Sequence, residues 1–132
     1  MKLTINTDGG SRGNPGPSGI GAVLVDQKGG ILKEISEYIG EGTNNQAEYT
    51  ALVRALEEAK KLKADEVSIF MDSELIVKQI KQEYKVKNKD LGVLFVKVWN
   101  LLQKFAKWDI KHVRREKNKK ADELVNKALD NK

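Results

Sequence analysis

Four acidic residues sit where the sequence could do chemistry: Asp8, Glu48, Asp72 and Asp122. Three of them have an ordinary structural reading as well. Asp8, before Gly9-Gly10, suits a turn, Asp72-Ser73 suits a helix cap, and Asp122 suits the acid-favouring first turn of a helix. Glu48 is harder to explain that way. At about 100° per residue it shares a face with Ala51, Leu52, Ala55, Leu56 and Ala59, and a carboxylate on a buried stripe needs a partner or a metal. Gathered in one place, the four acids would repel one another with no counter-charge, an arrangement tolerated mainly where divalent cations bind. With no cysteine and a single histidine in the chain, the oxygen donors favour Mg²⁺ or Mn²⁺ over Zn²⁺. Two such ions would stabilise the attacking and leaving oxygens of an in-line displacement at a phosphodiester.

The flanking residues predict the elements that must carry these acids. Leu3 to Asp8 alternates as a strand with Leu3, Ile5 and Thr7 on one side, and Gly9-Gly10 should end its regular pairing or open a bulge. The loop SRGNPGPSG combines two φ-restricting prolines with permissive glycines, which lets backbone amides approach a ligand. It has no GK[ST] ending, so it is not a P-loop. Ile20–Asp26 and Ile31–Ile39 read as a hairpin around Lys28-Gly29-Gly30. Thr43 with Gln46 makes a capping box that opens a helix to about Leu62. VSIFMD is a central strand with Asp72 as its last residue, and a helix starts at Ser73. A Lys-rich connector from Tyr84 to Asp90 precedes a helix from about Leu91 to Phe105, with Leu94, Val98, Leu101, Leu102 and Phe105 inside. Trp108–Arg114 is the last strand, and Ala121, Leu124, Val125 and Ala128 stripe a final helix. The order βββαβααβα implies an α/β fold, a mixed sheet with flanking helices, and all four acids fall near one edge of it.

The 132 residues suit one domain spanning 1–132. Charge is uneven: Lys78–Lys132 holds 16 Lys and Arg against 7 Asp and Glu, while Met1–Val77 holds 8 against 12. A basic half suits a polyanion such as nucleic acid; surface solubility or the Lys and Glu enrichment of heat-stable proteins would account for it equally. No apolar run is long enough to span a membrane and no signal peptide precedes the first strand, so a soluble, cytoplasmic monomer is expected.

TDGGSRGNPGPSGIGAVL, TNNQAEYTAL, MDSELIVKQI and REKNKKADEL, in this order and spacing, resemble type 1 ribonuclease H over nearly the whole chain. The resemblance implies a five-stranded mixed sheet in a ribonuclease H-like fold and a metal-binding catalytic set of Asp8, Glu48, Asp72 and Asp122. It also implies internal hydrolysis of the RNA strand of RNA/DNA hybrids, leaving 3′-hydroxyl and 5′-phosphate ends. Further implied are Asn14, Asn44 and Asn45 along the minor groove, Thr43 at a DNA phosphate, and Gly9, Ser73 and Glu74 at substrate-binding positions. Asn side chains both donate to and accept from a ribose 2′-hydroxyl, the group that tells RNA from DNA. Turn and cap chemistry is the alternative for Asn44.

The chain departs from the family pattern at three points. Glu74 stands where many members have Gln, which makes an outer-shell role the alternative to hybrid contact. The basic protrusion of longer members is reduced to a connector with Lys85, Lys87 and Lys89, so weaker hybrid affinity or a less selective groove is expected, with double-stranded RNA as a further substrate. Where members often carry a mobile His before the fourth acid, this chain offers Arg115. Arg115 does not act as a base near neutral pH, so its expected role is to hold the scissile phosphate or help product leave. His112, the single histidine, is expected to pack within its strand. A non-catalytic hybrid-binding domain is the remaining alternative, and four intact carboxylates argue against it.

Overall fold

A computed structural model describes residues 1–132. Three strands come first: β1 (Lys2–Ser11), β2 (Gly16–Val25) and β3 (Ile31–Gly42). After α1 (Asn44–Lys61) come β4 (Glu66–Met71), α2 (Glu74–Ile80), α3 (Lys89–Leu102), β5 (Lys107–His112), a 3₁₀ turn (Arg115–Lys117) and α4 (Lys119–Asp130). The strands form one mixed sheet in the order β3-β2-β1-β4-β5. β1 pairs antiparallel with β2 and parallel with β4, and β4 is parallel to β5.

The expected element order and mixed sheet are therefore both present. Leu3, Ile5 and Thr7 are fully buried on the face of β1 that also carries Gly9, the residue against which α1 packs. Asp8 and its cross-strand partner Gly21 lie on the opposite face, under α4. Between the sheet and the α1 side sits one apolar cluster that includes Leu52, Leu56, Ile69, Ile76, Val98 and Leu102. Thr43 caps α1 with the expected reciprocal pair of bonds to Gln46.

Several boundaries differ from expectation, each for a local reason. Gly9 and Gly10 do not end β1: the strand runs to Ser11 because β2 keeps pairing with it, Gly9 opposite Ile20 and Gly10 opposite Gly19. β2 accordingly starts at Gly16, and only Arg12–Pro15 remains outside the strands; Gly40–Gly42 likewise belong to β3. Asp72 lies one residue past β4, and α3 starts at Lys89 with Asn88 as its cap, two residues ahead of the expected start. Leu94 and Leu101 of α3 are only partly buried, whereas Leu91 is buried.

His112 is a correction. It is exposed at the end of edge strand β5, where its parallel partner is Met71 and its nearest charged neighbour is Glu74 on α2, 3.9 Å away. β5 is an edge strand with a neighbour on one side only, so packing does not enclose the ring even though its partner Met71 is buried. No helix is long and apolar enough to cross a membrane.

Candidate active site

The parallel ladder between β1 and β4 stops at Thr7 opposite Met71. The residue that follows each of these in the chain is one of the acids, so Asp8, within β1, and Asp72, just past β4, emerge side by side. Glu48 comes from the second turn of α1. Its helix approaches so closely that a Cβ built on Gly9 would lie 2.4 Å from the Ala47 carbonyl. Only glycine fits at position 9, and its absent side chain is what brings Glu48 beside Asp8. One ligand oxygen from each of Asp8, Glu48 and Asp72 falls within 4.8 Å of the others.

Asp122 arrives from the other face. α4 packs across β2 at Gly21, where an added Cβ would meet the Ala121 carbonyl at 2.3 Å. Asp122 stands outside the group of three but near enough for its charge to raise the Asp8 carboxyl. It is more exposed than Asp8 and Glu48, with Arg115 Nη2 3.7 Å from its Oδ1.

The electrostatics of the cluster are unfavourable as it stands. Burial, then the Asp72 charge, push Asp8 from 3.8 to about 7, against a hydrogen bond from the Gly9 amide. Glu48 is raised by burial, then by Asp8 and Asp72. Asp72 is raised by burial, offset by a hydrogen bond from Asn118 and by the positive charge of Arg115. Glu48 Oε1 is buried and has no hydrogen-bond partner. A buried, unpaired oxygen on a carboxylate grouped with two others fits a divalent cation of the hard, oxygen-seeking kind.

The acids line a cleft of about 410 Å³ that also takes in Gly9, Gly10, Ser11, Arg12, Asn44, Arg115 and Asn126. A larger one, about 550 Å³, opens at the far end of the sheet, but there Lys2 and Lys107 face Glu66 and Asp109. Those charges are balanced and far from the buried acids, so the smaller cleft is where chemistry is set up.

The other expected residues are distributed unevenly. Asn44 Oδ1 accepts from the Ser11 amide at 2.8 Å and the Asn44 amide donates to Asn14 Oδ1 at 3.0 Å, which ties the Arg12–Pro15 loop to the start of α1. Asn14, Thr43, Asn44 and Asn45 line a neighbouring cleft of about 400 Å³. Ser73 caps α2, accepting from the Ile76 amide. Glu74 is exposed and paired with Lys78 at 3.2 Å, outside the lining of the cleft that holds the acids.

Two residues not singled out from the sequence matter here. Asn88 caps α3 through its Oδ1 and joins Thr43 and Asn45 in the neighbouring cleft. Asn118, 1% exposed, occupies the cap position of α4 without capping it. Its Nδ2 donates to the Thr7 carbonyl at 2.8 Å and its Oδ1 accepts from Asn6 at 3.0 Å. An Asn just before an apolar-striped helix reads as a cap, and nothing in its neighbourhood signals a bond to residues more than a hundred positions away.

Residues 6–128 match the "Reverse transcriptase-like" family model. A bifunctional protein of Mycobacterium tuberculosis is 44% identical over 131 residues, covering 98% of this chain but 36% of its own length. The chain thus spans about a third of that relative. A protein of Pseudomonas savastanoi pv. phaseolicola named Ribonuclease H is 34% identical over 143 residues, covering 97% of this chain and 93% of its own. Among solved structures, RNase H1 from Halobacterium salinarum superposes with a TM-score of 0.97 at 43% identity, covering all of both chains. LC11-RNase H1 in complex with RNA/DNA hybrid gives 0.91 at 50% identity, covering 98% of this chain and 97% of that one.

Proposed function

Because this chain belongs to the ribonuclease H family, in its type 1 branch, we propose that residues 1–132 form one catalytic domain that cuts the RNA strand of RNA/DNA hybrids internally, leaving 5′-phosphate and 3′-hydroxyl ends. The observation that carries this reading is the convergence of Asp8, Glu48 and Asp72 with Glu48 Oε1 buried and unpartnered. Asp8, Glu48, Asp72 and Asp122 would hold two Mg²⁺ ions, with Mn²⁺ as a substitute. Bound there, such ions supply positive charge to the attacking and leaving oxygens of a phosphodiester displacement.

The chain's own residues orient the substrate. Arg115, at the mouth of the cleft, holds the scissile phosphate by charge. Asn14, Asn44 and Asn45 offer amides to ribose hydroxyls in the minor groove. Thr43, with Asn88 beside it, takes a phosphate of the DNA strand. Gly9 and Ser73 contribute backbone to the same surface. Such contacts go to sugars and phosphates, so sequence preference is low. The enzyme acts as a cytoplasmic monomer.

The test uses end-labelled RNA/DNA, RNA/RNA and DNA/DNA duplexes with Mg²⁺, Mn²⁺ or EDTA, and Asp72→Asn protein as control. Metal-dependent internal cutting of the hybrid's RNA strand, lost in the variant, supports the reading; hybrid bound but never cut would overturn it. Cutting in the RNA/RNA lane would extend the substrate range to double-stranded RNA, for which the short connector at Lys85, Lys87 and Lys89 leaves room.

A further inference from the structure

The cleft continues past the carboxylates. Along one side runs α4, from Asp122 through Asn126 to Leu129, and on the other stands Arg12, from the loop between β1 and β2. Of the residues that line it, Arg12 and Arg115 alone are cationic. Arg115 sits beside Asp122 at one end; Arg12 sits at the other, its Nη2 2.6 Å from Asp130 Oδ1 at the C-terminal end of α4. At 1.5 Å per residue, Asp122 and Asp130 are about 12 Å apart along the helix axis. With one phosphate per strand for every 3.4 Å or so of duplex, that distance is about three or four nucleotides.

The loop that presents Arg12 is not free to move it elsewhere. Its amide donates to the Pro17 carbonyl at 2.8 Å, and Asn14 and Ser11 are tied to Asn44. The Arg12–Asp130 pair itself is half-exposed on both sides, and exposed pairs of this kind hold weakly. A phosphate offers a guanidinium a stronger, bidentate partner than a surface carboxylate does. Asp130 is thus a partner that Arg12, at the lining of the cleft, can give up readily for a better anion.

We propose that Arg12 is a substrate-positioning residue that exchanges Asp130 for a phosphate of the RNA strand a few nucleotides from the cut, so that the two arginines bracket the carboxylates and set the register of the strand. The proposal rests on the reading of this cleft as the hybrid site. It assigns to the Gly-rich loop a role in strand grip beyond the minor-groove contact of Asn14.

The test compares wild type, Arg12→Ala and Asp130→Asn, measuring cleavage kinetics and, in EDTA, equilibrium binding of hybrid across a salt series. Arg12→Ala should raise KM about five- to tenfold with kcat within twofold, and lower the slope of log affinity against log salt by about one. Asp130→Asn, which breaks the same ion pair but keeps the arginine, should leave KM unchanged or lower it. If Asp130→Asn raises KM as Arg12→Ala does, the pair is structural and the proposal falls. A single neutral methylphosphonate walked along the RNA strand should erase the difference between wild type and Arg12→Ala at one linkage; no such linkage, or no difference to erase, would overturn the proposal as well. Wild type that cuts hybrid while Arg12→Ala matches it removes this inference alone. Wild type that neither cuts nor binds hybrid removes the functional reading and the inference together.

Discussion

Asn118 reaches across from the start of α4 to donate its side-chain amide to the Thr7 carbonyl, 2.8 Å away, one residue before Asp8. The same side chain acts to lower the Asp72 carboxyl against the larger, raising effect of burial, and the Asn118 backbone carbonyl accepts from the Asp122 amide at 3.1 Å. One buried residue therefore ties the elements that carry Asp8 and Asp122 and bears on the charge of Asp72.

Replacing Asn118 tests that bridge. Asn118→Ala takes away the donor to the buried Thr7 carbonyl, a loss of about 1–3 kcal/mol. We expect the folded variant to lose about tenfold or more in kcat and to need more Mg²⁺ for half-maximal rate, with KM for hybrid little changed. Thermal melts and a Mg²⁺ titration check this; a lower melting temperature with an unaltered metal requirement would make Asn118 a purely structural residue.

The raised carboxyls bear on stability. In the metal-free protein Asp8, Glu48 and Asp72 all bind protons more tightly than in the unfolded chain. Between the ordinary carboxylate range and about 7, the value reached by Asp8, the folded state holds more protons, so stability falls as pH rises through that window. Melting in EDTA should therefore occur at higher temperature at pH 5 than at pH 7.5, and Mg²⁺ should narrow the gap by binding the ionised form. Asp8→Asn should abolish cleavage yet stabilise the metal-free protein at pH 7.5 by about 1–3 kcal/mol. An Asp8→Asn protein less stable than wild type in EDTA would contradict this.

Gly9 tests the closeness of α1. A methyl group there would sit 2.4 Å from the Ala47 backbone, and backbone cannot rotate away as a side chain can. Gly9→Ala should destabilise by about 2 kcal/mol or more and shift Glu48 away from Asp8. Circular dichroism melts and residual cleavage measure both effects; wild-type activity in Gly9→Ala would show that the helix yields at no cost.

Arg115 is judged by kinetics. Its side chain is 80% exposed, so Arg115→Ala should leave the melting temperature within a degree or two while lowering kcat/KM about ten- to a hundredfold. Arg115→Lys should restore only part of the loss, because a point charge lacks the planar fork. If Arg115→Ala leaves both turnover and hybrid affinity unchanged, the assigned role is void.

Much of this architecture was legible in the sequence because its signals are local. The alternation of Leu3, Ile5 and Thr7, the Thr43–Gln46 capping box and the stripe around Glu48 each depend on residues within a turn or two, and each is present. Legibility failed where a distant partner decides the outcome. Gly9-Gly10 look like a strand breaker, yet β2 supplies partners that carry β1 on to Ser11. His112 alternates with Ile110 as a packed residue would, but at the end of an edge strand it is left exposed. Asn118 looks like a cap and is spent on β1 instead. For the acids, pattern revealed which side of each element they occupy, whereas the separation of Asp122 from the group of three depends on how α4 lies across Gly21.

The parallel pairing of β1 with β4 also governs the order in which the molecule matures. β1, β2 and β3 are neighbours in sequence and can zip as a meander, whereas β1 meets β4 only after the chain closes a loop as long as that from Thr7 to Met71. Closing it costs entropy before any contact rewards it. Secondary structure in the first three strands and α1 should therefore appear early during refolding, and nuclease activity late, in step with protection of the β4 amides from hydrogen exchange. A partly folded chain would hold Asp8 and Glu48 close together while lacking Asp72, and so would be harmless to RNA until the long loop shuts.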